Sequence, residues 1–141
     1  MTSTHKQIIA ESTLINRLNS GKITPADIEI STIKDLLDFF GENCSKITKL
    51  DLQDFLQVND DDIENLYKNF KKLNHLLLKD TTITEPSAVH LEKMLLTSLD
   101  LSDCIINNFS FLQHREKLTS LNLSGCKEIY DFSFLQHCNS L

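Results

Sequence analysis

The sequence predicts an α/β chain of short parallel strands stacked unit on unit, a solenoid capped at its N-terminal end by a helix. Three observations lead there. The hexapeptide Phe-Ser-Phe-Leu-Gln-His occurs twice, at Phe109–His114 and Phe132–His137, 23 residues apart. Upstream of each copy lies one apolar frame, Leu-x-x-Leu-x-Leu-x-x-Cys: Leu96, Leu99, Leu101 and Cys104, then Leu118, Leu121, Leu123 and Cys126. Weaker copies precede these in the same register. Self-similarity at such a period marks units that cannot bury their apolar face alone and must stack.

Side chains alternate with period two along a strand, so the leucines at positions four and six point together into a core. Those at positions one and nine turn inward where the chain bends. In the earlier copies, Leu73, Leu76 and Leu78 carry Thr81 at position nine, and Ile47, Leu50 and Leu52 carry Phe55. A degenerate first unit starts at Pro25, with Ile28, Ile30 and Ile33. The starts fall at 25, 47, 73, 96, 118 and 141, spaced 22, 26, 23, 22 and 23 residues apart.

This pattern resembles the leucine-rich repeat family, whose units run about 20–29 residues with Asn or Cys at position nine. The resemblance implies a horseshoe solenoid with short parallel strands on the concave side and helices or 3₁₀ turns on the convex side. It covers residues 47–141, four units and a fifth begun at Leu141. Residues 1–46 are read as the helical N-terminal cap, including the degenerate repeat.

Each element has its own sequence signal. From Thr4 to Asn19, Ile8, Leu14, Ile15 and Leu18 fall within a stripe of about 120° at 100° per residue, which predicts an amphipathic helix. Ser20-Gly21 ends it. Ser31 is the expected N-cap of a second helix carrying Leu36, Leu37, Phe39 and Phe40, with Gly41 at its end. Asn59–Lys72 predicts a third, with Asp60, Asp61 and Asp62 at the positive end of the helix dipole and Lys68, Lys71 and Lys72 at the negative end. Ile63, Leu66, Tyr67 and Phe70 form its inner face. A fourth helix begins near Pro86, a favoured first helical residue, and carries Val89, Leu91, Met94 and Leu95. In the last two units the hexapeptide is too short for a helix and predicts a 3₁₀ turn. Leu141 opens a further unit, so Phe132, Phe134 and Leu135 are expected to lie open. That predicts a fragment of a longer array, or an end covered by a partner or by self-association.

Composition narrows the function. Apolar residues make up 40% of the chain, with only three Gly and two Pro, which argues against disorder. The net charge is −6 and there is no basic stripe, so nucleic acid is not an expected partner. The apolar runs are short and no signal peptide is evident, so neither membrane insertion nor classical secretion is expected. Cys104 and Cys126 hold position nine, and Cys44 and Cys138 each precede a unit start by three residues. All four read as reduced core thiols of a cytoplasmic protein, or of one delivered into a host cell without a classical signal peptide. No Cys-x-x-Cys occurs, and His114 and His137 fall on the side opposite the Cys pair, so no zinc site is expected. The Asp60-Asp61-Asp62 run lacks the Gly and distant Glu of a calcium loop. No nucleophile elbow, phosphate loop or acid–base pair is present, so the chain is not read as an enzyme and no cofactor is expected.

In the family, positions two, three, five, seven and eight of each unit face outward on the concave side. Carried over, position eight gives Asp54, Asp80 and Asp103, and position five gives Asp51, Leu77, Asp100 and Asn122. With strands about 4.8 Å apart, the carboxylates make an acidic ladder suited to a partner with a basic surface. Alternatively, they are solvated residues common after a strand leucine. Leu77 is expected as an exposed apolar residue beside His75, a candidate anchor. The resemblance thus implies a protein–protein interaction scaffold. Leu123-Ser124-Gly125-Cys126 is similar to repeats of protozoa, of F-box-type adaptors, and of bacteria whose effector proteins act in host cells as virulence factors. The alternative is the recognition part of a longer enzyme such as a ubiquitin ligase, although the N-terminal region shows no F-box pattern.

Overall fold

The computed structural model describes residues 2–127, 129 and 131–141, with the side chains of residues 2–10 and of His137 outside that description. Among the described residues lie four α-helices: α1 (Thr2–Asn19), α2 (Ile33–Phe40), α3 (Asp60–Asn69) and α4 (Pro86–Lys93). Four strands accompany them: β1 (Lys49–Asp51), β2 (His75–Leu77), β3 (Ser98–Asp100) and β4 (Ser120–Asn122). The strands form one open parallel sheet in the order β1-β2-β3-β4. The protein is therefore α/β with a parallel four-stranded sheet. Parallel neighbours need a crossover of a dozen or more residues. Helices α3 and α4 lie in two of the crossovers, and a 3₁₀ turn at Ser110–Leu112 lies in the third.

The sequence period is the pairing register. Leu50 aligns with Leu76, Leu76 with Leu99, and Leu99 with Leu121. One turn closes every strand: the N–H of Phe55, Thr81, Cys104 and Cys126 donates to the carbonyl of Leu52, Leu78, Leu101 and Leu123 respectively. Position nine thus bends back onto position six in all four units. The leucines at positions four and six are fully buried in β1 to β3 and half-buried beside β4. Each full burial stabilises the fold by about 1.5–3 kcal/mol.

Helix α1 packs its Ile15 and Leu18 into the core and contacts β1. The Ile8 side chain, expected in the same stripe, lies outside the described residues. The helix ends at Gly21, whose φ of 76° lets the Lys22 N–H reach back to the Arg17 carbonyl. No strand forms at Ile28–Ile30, which corrects the expectation of a degenerate repeat there. Pro25–Ile28 is a 3₁₀ turn, drawn together by Asp27 accepting from the Thr24 N–H at 2.8 Å. Ile30 and Ile33 are nonetheless buried. Just ahead of β1, the backbone is paired with a side chain instead of a strand: Asn19 accepts from the Thr48 N–H and donates to the Lys46 carbonyl.

The N-cap of α2 is Thr32, not Ser31: its hydroxyl accepts from the Asp35 N–H at 3.1 Å, while the Ser31 carbonyl is held by the Leu56 N–H. The inner stripe is Ile33, Leu36 and Phe40; Phe39 is largely exposed and packs edge-on against Phe40. In α3, Asn59 and Asp62 form a capping box, each side chain accepting from the other's backbone. That helix stops at Asn69, so only Lys68 of the expected basic residues lies in its last turn. In α4 the inward positions are Ser87 and Leu91, followed by Met94, which leaves Val89 and Leu95 exposed. Phe109, Phe111 and Leu112 of the first hexapeptide are buried. In the second copy Phe134 is only 6% exposed, covered by the Phe109 ring at 5.6 Å, whereas Phe132 is 57% exposed and Leu135 is also open. The expectation that all three lie open holds for two of them.

Candidate binding face

Odd-numbered strand positions alternate away from the buried leucines and build two rows across the sheet. The first row is Lys49, His75, Ser98 and Ser120; the second is Asp51, Leu77, Asp100 and Asn122. The register thus places Asp51, Leu77 and Asp100 side by side, as the spacing requires.

Leu77 is half-buried, which corrects the expectation of an exposed side chain. Its row neighbours Asp51 and Asp100 stand on both sides in the pairing register. His75 beside it is also half-buried, and its Nδ1 lies 2.7 Å from Asn74 Oδ1.

The polar members of the second row are fixed by the turn that follows each strand. Asp51 Oδ1 accepts from the Gln53 N–H at 3.1 Å, Asp100 Oδ1 from Ser102 N–H at 2.8 Å, and Asn122 Oδ1 from Ser124 N–H at 2.9 Å. Each is an Asx turn two residues on. Ser102, expected outside at position seven, is buried instead, because its hydroxyl also donates to Asp100 at 2.6 Å. Asp100 and Asn122 are further linked across the strands at 3.4 Å. One oxygen each of Asp51, Asp100 and Asn122 is thus held by the turn that follows its strand.

Position eight has a different logic. Asp80 and Asp103 adopt φ of 59° and 57°, and Gly125 adopts 74° in the next unit. Asp and Gly tolerate this left-handed region far better than branched residues do. Their N–H groups tie the units together, Asp80 to the Ser102 carbonyl and Asp103 to the Ser124 carbonyl. Asp54 is exposed without that conformation. The position-eight carboxylates therefore lie on the loop rim at the strands' carboxyl ends, apart from the row of Asp51, Leu77 and Asp100.

Behind the face, position nine forms an internal ladder. The Cys104 thiol donates to the Leu78 carbonyl at 3.1 Å and the Cys126 thiol to the Leu101 carbonyl at 3.0 Å. Thr81 donates to the Leu78 carbonyl at 2.8 Å. Burial pushes both thiols above the usual range, and pushes Cys44 up to about 11. All four cysteines are free. No group of three His, Cys, Asp or Glu able to hold a metal ion occurs among the described residues, and no helix among them is long and apolar enough to cross a membrane.

The sequence reading missed Ile105 on the loop rim, which is 68% exposed while Ile106 is buried. The signal was present: of two consecutive isoleucines leaving a turn, only one can face the core. The chain matches no family model, no curated protein and no solved structure.

Proposed function

We propose that this chain is a leucine-rich repeat solenoid acting as a protein–protein recognition scaffold, and that its partner meets the open sheet face. The row Asp51–Leu77–Asp100 carries the reading. It sets an apolar side chain between two carboxylates that the following turns hold in place. Apolar anchors at the centre of an interface supply most of its energy, and flanking charge speeds encounter and fixes orientation. A partner with a basic surface fits this row and the net charge of −6. His75 borders the anchor, and Asp54, Asp80 and Asp103 extend the negative field along the rim. The four free thiols favour a reducing compartment, either the cytoplasm or the interior of a host cell that receives the chain as an effector. Exposed Phe132 and Leu135 at the β4 end supply a second surface for self-association.

Quantitative affinity capture tests the sheet face. Proteins captured by the native chain should be lost with Leu77→Asp and reduced with the double change Asp51→Asn and Asp100→Asn. Asparagine keeps the Asx turn, as Asn122 does in β4, so the double variant removes charge without removing the turn. The same proteins captured in the same amounts by every variant would overturn the sheet-face reading.

A further inference from the structure

A groove of about 520 Å³ opens at the carboxyl ends of β2–β4, lined by Asp80, Asp103, Cys104, Ile105, Gly125 and Lys127 among others. Its two most distinctive contributions are choices the fold does not need. The turn at position eight requires a left-handed residue, and Gly125 meets that requirement without any charge. Asp80 and Asp103 meet it with a carboxylate each, and neither side chain has a hydrogen bond or ion pair among the described residues. The residue after position nine is polar and exposed in two units, as Thr82 and Lys127, and apolar and 83% exposed in the first, as Leu56. In the unit between those of Thr82 and Lys127 it is Ile105, an apolar side chain left 68% exposed on the groove wall. Neither the charge nor the apolar group is explained by packing.

Their arrangement selects a partner chemistry. The Asp103 carboxylate lies over Gly125, so close that a Cβ there would stand 1.9 Å from Oδ1. This side chain therefore occupies space that the glycine leaves free, on the groove wall next to Ile105. Two carboxylates against the single ammonium of Lys127 leave the lining net negative and favour a cation, and Ile105 favours a hydrocarbon beside it. We propose that this groove docks a cationic peptide segment, an Arg or Lys side chain reaching Asp80 and Asp103 while an adjacent apolar side chain packs on Ile105. The proposal rests on the reading of the chain as a recognition scaffold and gives that scaffold a second contact, on the loop rim beside the sheet face.

The test uses the full chain and a displayed library of random peptides. Enriched peptides should share a Lys or Arg next to an aliphatic or aromatic residue. The strongest, synthesised with a fluorophore and measured by polarisation, should weaken about tenfold with Asp80→Asn, Asp103→Asn or Ile105→Ser, and should weaken further with added salt. Asparagine tolerates the left-handed turn, so equal melting temperatures of the native chain and the Asn variants would separate docking from folding. Selection of no peptide, of peptides without basic residues, or of peptides bound equally by all three variants would overturn the groove. Peptide binding lost in Leu77→Asp but kept in the three groove variants would overturn the groove and leave the sheet-face reading standing. The reverse pattern, loss in the groove variants with Leu77→Asp unchanged, is the one expected of the groove, and it leaves the sheet face to the capture experiment above.

Discussion

The Asn19 side chain holds the backbone just ahead of β1: its Oδ1 accepts from the Thr48 N–H at 2.7 Å, and its Nδ2 donates to the Lys46 carbonyl at 3.0 Å. One amide satisfies two backbone groups. Asn19→Ala removes both bonds and is expected to cost about 1–3 kcal/mol, chiefly because the Thr48 N–H is partly buried, while water can reach the Lys46 carbonyl. Denaturant unfolding measures the loss. Hydrogen exchange at Thr48 should accelerate more than exchange in β3; equal acceleration in both strands would show a global effect and reject the local role of Asn19.

Asp60 joins the first turns of α3 and α4. Its carboxylate accepts from the Thr84 N–H at 2.8 Å and from the hydroxyls of Thr84 and fully buried Ser87. Partial burial works against its ionisation, but the hydrogen bonds from Ser87 and Thr84 outweigh that and hold the carboxyl below the usual range. A folded-state pKa below the unfolded one contributes stability that is present above about pH 4 and is lost as pH falls through the folded value. Unfolding free energy of the native chain should therefore fall with acidification below pH 4, and part of that fall should vanish in Asp60→Asn. At pH 7 the Asn variant should be less stable by about 1.5–3 kcal/mol. Parallel pH profiles for the two chains would remove Asp60 from the acid response.

The period and register were legible because they repeat. Leucines at positions four and six recur at nearly constant spacing, and a parallel sheet built from them has little freedom of alignment, since a one-residue slip would expose every leucine. Contacts made only once were not legible. Asn19 and Thr48 are 29 residues apart, and Asp60 and Ser87 are 27 apart, with no motif linking either pair. Ser87, bonded to Asp60, shares the inner face of α4 with Leu91, four residues on, and Val89 is left exposed. The candidate face was half legible. The Asp51–Leu77–Asp100 row followed from the period, but the partial burial of Leu77 did not. Neither did the separation of the position-eight carboxylates from that row, which depends on backbone angles at Asp80 and Asp103 that other residue types would also permit.

The thiols offer a check on how tightly the units pack. Cys44, Cys104 and Cys138 are buried and Cys126 is half-buried at the last complete turn. Burial holds Cys44 at about 11 and raises Cys104 and Cys126, so each carries little thiolate near pH 8. A disulfide reagent should therefore react slowly with the native chain, with Cys126 first, and rapidly with all four thiols in denaturant. Cys126→Ser should remove the first phase alone. Fast modification of Cys44 in the native chain would contradict its packing against α2, where its thiol donates to the Leu36 carbonyl.

The two ends of the sheet differ in a way that limits self-association. At β1, Asn19 holds the backbone just ahead of the strand and α1 packs beside it. At β4 no further strand pairs among the described residues, Leu121 and Leu123 are only half-buried, and Phe132 and Leu135 are exposed. Copies stacking head to tail would need β1 free, and such contacts propagate without closing. Were copies to associate through the β4 end alone, two would meet about a twofold axis and a third could not join. Sedimentation across a range of concentrations should show a monomer–dimer equilibrium with no larger species. The double change Phe132→Ser and Leu135→Ser should shift it toward monomer, since each residue loses about 1.5–3 kcal/mol of apolar burial if fully covered in the dimer. Asn19→Ala should leave the dimer unchanged unless it frees the β1 edge, in which case higher oligomers appear. A chain that stays monomeric at every concentration would reject self-association through β4.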